Sequence, residues 1–371
     1  MKIRKTIRAY SSAVSSSKEA SRRSTGSILL SLLKSRFNYK IGPHPYCLYS
    51  LSEKSSESWP DYLQDKHVKP ILKTINPSNV SHLTRSKLSF YQHCLKHSLP
   101  TIPILAKLER PTSDGRDSSA DKAARQSFAS TLEELEGMFF FKTTDGSHGL
   151  GAFTAEHLNG AWRFGNSVCS TMDLVKHLDA SQTSRGGWLV QPVIRPHNAL
   201  QKLMPRGILG TLRIVTYLHQ NQPRTLFAVL RIPSGTTLTD NFSAGSSGNI
   251  VAPVDLDTGA IGIARQSTSK TWPCIRAVAH HPETGTQITG VVIPYWEQIM
   301  SLVSRAQAAT SEIRTVGWDI AVTDTGPLIV EANHCYDIDI LQVALDRGLR
   351  KPLAPILSLA STTPLQNLAK H

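Results

Sequence analysis

Three oxygen-bearing side chains, Asp319, Glu331 and Asn333, fall within Gly317 to Asn333, where alternating apolar residues are interrupted by Thr323-Asp324-Thr325-Gly326. That pattern reads as a β-hairpin. If the turn centres on Thr325, Asp319 faces Glu331, Ala321 faces Ile329 and Ile320 faces Val330. Alternation then gives Ile320, Val322, Leu328 and Val330 a buried face and puts Asp319, Glu331 and Asn333 together on the other. Opposed Cβ atoms lie about 4.5 to 5.5 Å apart, where two carboxylates repel unless a cation sits between them. Mg²⁺ meets that need, because it takes hard oxygen ligands at about 2.0 to 2.1 Å and completes its shell with water and phosphate oxygens. The plainer alternative is a solvated hairpin face with incidental acids.

A second stretch, Phe139-Phe140-Phe141-Lys142, delivers a lysine to the glycine-rich run Thr143 to Gly151. Glycines let backbone N–H groups approach phosphate oxygens closely, and the lysine adds a point charge. No Gly-Lys-Ser/Thr occurs, and Ala152-Phe153-Thr154 continues as strand, so this is not a Walker loop. Alone, such a run is more often simply a turn. Arg213 and Arg231 each interrupt an apolar strand pattern, where a surface or ion-paired arginine is the ordinary role. His148, His281 and Cys335 read as packed side chains before they read as substrate contacts.

These residues need elements to carry them. Leu88, Phe90, Tyr91, Cys94 and Leu95 give Ser86 to His97 a helical period that stops at Leu99-Pro100, and Ile102 to Leu105 should be a strand. Arg110 to Arg125 reads as a loop and Leu132 to Glu136 as a short helical piece. Strands are expected at Met138 to Phe141, Gly151 to Thr154, Trp188 to Ile194, Thr211 to Leu218 and Thr225 to Arg231, with a long helix at Tyr295 to Ile313. Sheets with flanking helices make the fold α+β. The 371 residues leave room for two or three lobes.

The net charge of +13 suits anionic partners and equally favours solubility, and no zinc-finger or RNA-binding signature accompanies it, so nucleic acid is not expected as a partner. Much of the excess lies in Met1 to Arg23, where Lys2, Arg4, Lys5, Arg8, Lys18, Arg22 and Arg23 face Glu19 alone. With its serines and weak periodicity, this start reads as a disordered basic tail, with a transit peptide as the alternative. Its longest apolar run, Ile28 to Leu33, is too short for a membrane span. Five widely spaced cysteines without a C-x-x-C pair point to a reducing, cytoplasmic setting.

In order along the chain, these motifs resemble the ATP-grasp superfamily. Thr84 to Leu88 is similar to the segment carrying its first phosphate lysine, and Lys142 with the loop to Gly151 to its second lysine and mobile loop. Leu189 to Ile194 stands at the adenine hinge, and Gly317-Trp318-Asp319 with Glu331-Ala332-Asn333 at the metal pair. Thr211 to Thr216, Asp240 to Gly248, His281 to Gly285 and Ile293 to Trp296 resemble most closely the sugar-transfer-associated ATP-grasp proteins, which are associated with polysaccharide biosynthesis. Two departures stand out: Gln191-Pro192 in the hinge, and His334-Cys335-Tyr336 in place of a Pro-Gly turn.

The resemblance implies an ATP-grasp fold, two α+β lobes gripping ATP after a small N-terminal α/β region. The expected bounds are a tail at 1–36, an N-terminal region at 37–110, a small lobe at 111–200, a large lobe at 201–345 and a C-terminal tail at 346–371. It implies ATP held by Lys87, Lys142, Gly146, Ser147, Gly149, Gly151, Gln191, Pro192, Val193 and Ile194, and Mg²⁺ held by Asp319, Glu331 and Asn333. Arg213 and Lys142 become the catalytic pair. The implied reaction joins a small or sugar-linked carboxylate to an amine through an acyl phosphate. Phosphoryl transfer to a hydroxyl or histidine, or a non-catalytic nucleotide-binding module, are the alternatives.

Overall fold

The structure, a computed structural model, describes residues 2–77, 79, 81–109, 119–144, 151–180, 186–235, 239–269 and 271–362. The chain divides into two units: Met1–Ser81, Pro196–Pro327 and Ala332–His371 form the first, and His82–Arg195 with Leu328–Glu331 the second. Helices α1 (Lys2–Ala20), α2 (Thr25–Tyr39), α3 (Pro43–Leu48) and α4 (Asp65–Ile75) open the first unit. The second holds α5 (His82–Arg85), α6 (Lys87–Lys96), β1 (Ala106–Leu108), α7 (Ser119–Glu133), β2 (Gly137–Thr143), β3 (Phe153–Leu158), β4 (Ala161–Phe164), β5 (Ser167–Cys169), α8 (Thr171–Ala180) and β6 (Trp188–Pro192). The chain then returns with β7 (Leu212–His219), β8 (Gln222–Ile232), β9 (Ile250–Pro253), β10 (Ala264–Ser267), β11 (Ile275–Val278), α9 (Trp296–Ala309), β12 (Thr315–Thr323), β13 (Gly326–Asn333) and α10 (Asp339–Leu345).

In the second unit the strands form one antiparallel sheet in the order β1-β6-β2-β3-β4-β5. Burial alternates along β2, so Phe139, Phe141 and Thr143 turn inward while Lys142 takes the opposite face. Phe141 meets Phe128, Leu132, Trp162, Leu174 and Val190 in a core beneath α7 and α8. Trp188 fastens α8 to β6 by donating its indole N–H to the Leu178 carbonyl at 3.0 Å. Gly187, at φ +105°, passes so close to Leu108 that an added Cβ would lie 2.0 Å from its carbonyl oxygen. The expected strand at Ile102 to Leu105 falls slightly later, as β1.

In the first unit seven strands run in the order β11-β10-β9-β8-β7-β12-β13. Helix α9 packs on β7, β8 and β12. A single core cluster joins Val215, Phe227, Val229 and Val251 of the sheet to Ile28, Leu32, Tyr46 and Trp59 from the N-terminal region and Leu341 and Val343 of α10. All nine residues of β12 are consequently buried. The expected buried face of Ile320, Val322, Leu328 and Val330 is corrected on β13, where Leu328 and Val330 are only half-buried while Ile329 and Ala332 are fully buried; Asp319, at 5% exposure, rules out the alternative of a solvated acidic face at that position.

The stretch expected to be disordered is helical and contributes to this core. It forms α1 and α2, joined by residues 21–24, and Ala13, Ile28 and Leu32 are inaccessible to solvent. Serines hide the helical period. Ser16 donates to the Pro273 carbonyl at 2.8 Å, Ser35 to that of Leu32 at 2.8 Å, and Ser31 bonds the Tyr46 hydroxyl. Small polar side chains can line a buried helix face when their hydroxyls are satisfied, and hydropathy does not register them. Leu32→Ala should therefore lower unfolding free energy by about 2 to 5 kcal/mol, read from urea titration, and a chain beginning at Phe37 should lack a cooperative transition.

Candidate functional site

Within the first unit, Arg213 on β7 stands directly opposite Asp319 on β12 and Val229 on β8. Two residues on from Val229, Arg231 returns to the same face. All are on the side of the sheet that carries Val215 and Val229 into the core cluster. Arg213 Nε donates to Asp319 Oδ1 at 2.5 Å and its Nη2 lies 3.2 Å from Oδ2, a two-pronged pairing. Arg231 Nη2 reaches Asp319 Oδ2 at 2.9 Å, and its Nε lies 3.2 Å from Asp240 Oδ2. Asp240 in turn accepts from the Thr211 N–H at 2.8 Å and hydroxyl at 2.7 Å.

Two guanidiniums and two carboxylates, none more than 8% exposed, thus balance one another. Burial alone would raise the pKa of Asp319, but Arg213 and Arg231 outweigh it and hold the carboxyl below its ordinary value. At Asp240 burial prevails over Arg231 and Thr211, and the pKa is raised. Gly317 leaves room for this arrangement: an added Cβ would stand 2.9 Å from Tyr336 Cβ and 3.2 Å from Arg213 Cδ.

Within the second unit, Ser86 caps α6 by accepting from the Ser89 N–H at 3.2 Å, which sets Lys87 in the helix's first turn. The Lys87 N–H also donates to the Thr144 carbonyl, so the helix start is tied to the end of β2. Burial lowers the Lys142 pKa to about 8, with Glu331 raising it and Lys87 lowering it further. Glu331 and Lys87 thus both act on Lys142. Lysines held together in this way favour a multiply charged anion as a partner.

The hinge residues lie beside them. Gln191 pairs with Phe140 of β2, and its amide donates to the Ile102 carbonyl at 3.1 Å, so that side chain is committed to the fold. Pro192 ends β6, and Val193 and Ile194 follow half-buried. Gly151 is described at φ +78°, whereas Gly146, Ser147, Gly149 and His148 lie outside the described residues. Asn333 is half-buried, and its amide nitrogen is buried with no hydrogen-bond partner among the described residues.

His281 is structural: Nε2 bonds the Pro233 carbonyl at 2.9 Å and Nδ1 accepts from the Glu283 N–H at 3.2 Å. Burial raises the Cys335 thiol pKa, which leaves it unreactive at neutral pH. Sequence reasoning missed Asp240 as a site residue, although it opens a segment singled out by resemblance, and left Arg231 as an ordinary arginine. It also missed Asp65, Asp337 and Asp339, whose carboxylate oxygens lie within 4.8 Å of one another. Burial and neighbouring carboxylates raise Asp339 to about 7. Lys69 bridges Asp65 and Asp337, and Asp65 accepts from the Ile338 N–H at 2.9 Å, so this cluster ties α4 to the start of α10.

Two α+β units, one with a six-stranded antiparallel sheet and one with a seven-stranded sheet, define the ATP-grasp fold. Residues 69–357 match the family described as sugar-transfer associated ATP-grasp, and the chain belongs to that family. No curated protein matches it in sequence. Among solved structures it is similar to D-alanyl-alanine synthetase A from Vibrio cholerae, at 16% identity and TM-score 0.41, covering 76% of this chain and 66% of that one. For the L-amino acid ligase from Bacillus licheniformis the figures are 11%, 0.38, 76% and 49%. For the D-alanine-D-alanine ligase from Helicobacter pylori they are 10%, 0.41, 76% and 61%. The chain therefore spans less than two thirds of each.

Proposed function

We propose that the chain is an ATP- and Mg²⁺-dependent ligase that joins a carboxylate to an amine through an acyl phosphate, in the context of polysaccharide biosynthesis. The observation that carries this reading is that Lys87, whose helix start is tied to the end of β2, and Glu331 both act on Lys142 within a chain of the ATP-grasp family. The lysines would bind phosphate oxygens, and the glycine-rich loop that ends at Gly151 would shield the acyl phosphate from water. Adenine would rest against Gln191 to Ile194, held by backbone groups. Arg213 would stabilise charge that develops on the transferring phosphoryl.

The donor set suits a hard cation. Glu331 offers a carboxylate, Asn333 an amide carbonyl whose nitrogen has no partner among the described residues, and Asp319 the lone pairs of Oδ1 that Arg213 leaves open. Bound there, Mg²⁺ would neutralise charge on phosphate oxygens. ADP release screened against pools of carboxylates and amines tests the reaction. ADP with inorganic phosphate and an amide product supports it, and a phosphorylated hydroxyl or histidine refutes it.

A pH dependence follows from Lys142. Because its pKa in the free protein is about 8, ATP must draw a proton onto it at higher pH. ATP affinity should hold steady up to that point and then fall by up to about tenfold per pH unit. Lys142→Met should bind more weakly throughout and lose the slope, as calorimetry across pH 7 to 10 would report.

A further inference from the structure

The apolar run Ile28 to Leu33 has no part in the chemistry above, and α2 divides it between two faces. Ile28 and Leu32 enter the core, while Leu29 and Leu30 remain 41% and 71% exposed, Leu33 is half-buried and Phe37 is 70% exposed. Leu30, Leu33 and Phe37 recur at helical spacing with Leu29 beside them, so the outer face of α2 is an apolar stripe. Lys34 and Arg36 lie exposed within it, and Lys40 at its C-terminal end. Helix α1, which packs on α2, adds Ile7 at 63% exposure, with Arg4 and Arg8 exposed three residues before it and one after it. Glu19 is the one acid from Lys2 to Lys40, and twelve residues along α1 place it about 18 Å from Ile7.

We infer that the outer face of the α1–α2 pair docks on an anionic lipid surface, with Leu29, Leu30, Leu33 and Phe37 entering the headgroup boundary. The mixture selects the partner. A nucleic acid or a soluble polyanion would pair with the cations but has no use for three leucines and a phenylalanine on one helix face. A second copy would cover the stripe, but a two-fold interface would bring Lys34, Arg36 and their counterparts face to face. Apolar side chains rimmed by lysine and arginine fit a bilayer interface carrying negative headgroups. Since these helices share the core cluster of the unit that bears Arg213 and Asp319, docking would hold that unit at the surface.

The test is sedimentation of the full chain with phosphatidylcholine vesicles, alone or with phosphatidylserine, at low and high salt. The chain should bind the anionic vesicles, bind the neutral ones weakly, and release as salt rises. Leu30→Ser with Phe37→Ser should reduce binding by about tenfold or more, and so should Arg8→Glu with Arg36→Glu, each with an unchanged melting temperature. These positions are exposed, so both variants should fold, and either alone decides the matter. Binding equal to the parent's in a folded variant, no preference for anionic vesicles, or a dimer in light scattering that the Leu30 and Phe37 changes abolish, would overturn the inference.

Discussion

Asp319→Asn should cost about 3 to 5 kcal/mol of unfolding free energy, more than any other substitution at the candidate site. The loss would not come from a missing metal. Asp319 takes hydrogen bonds from Arg213 and Arg231 in a pocket where all three are almost wholly buried, and asparagine would leave two guanidiniums facing one carboxylate, Asp240. Urea unfolding without nucleotide or Mg²⁺ reads this directly. Arg231→Met added to Asp319→Asn should restore charge balance, so the double variant should lose less than the sum of the single losses. The pH dependence has a defined sign. Because the folded pKa of Asp319 is depressed, its contribution is complete above the unfolded value of about 3.9 and is lost as pH falls through the lower folded value. Asp319→Asn should flatten that acid limb.

Much of the architecture is legible where packing follows hydropathy. The Phe139 to Phe141 alternation, the helix around Phe90 and Cys94 and the hairpin ending at Asn333 all announce themselves by period. What stays hidden depends on polar burial. The inner faces of α1 and α2 use Ser16, Ser31 and Ser35, which a hydropathy reading treats as exposed, so neither helix is recognised as part of the core. The pairing of Arg231 with Asp240 joins β8 to a loop beyond its end, and no sequence period encodes that. Lys87 and Lys142, far apart in the chain, could be grouped by resemblance but not by spacing.

Glu331→Gln should separate from Asp319→Asn in the opposite sense: turnover should fall by on the order of 10² or more while stability barely changes. Glu331 is half-buried, and its influence falls on Lys142 rather than on a buried guanidinium. Without its charge, the Lys142 pKa should drop further below about 8, and the pH at which ATP affinity begins to fall should move down with it. ADP formation against Mg²⁺ concentration, for the parent and Glu331→Gln with saturating carboxylate and amine, tests the account most directly. The account predicts that the parent's rate rises with Mg²⁺ to a plateau, and that the variant stays roughly a hundredfold lower at every concentration while still folded. A variant that forms ADP like the parent, or a parent whose rate ignores Mg²⁺, would contradict it.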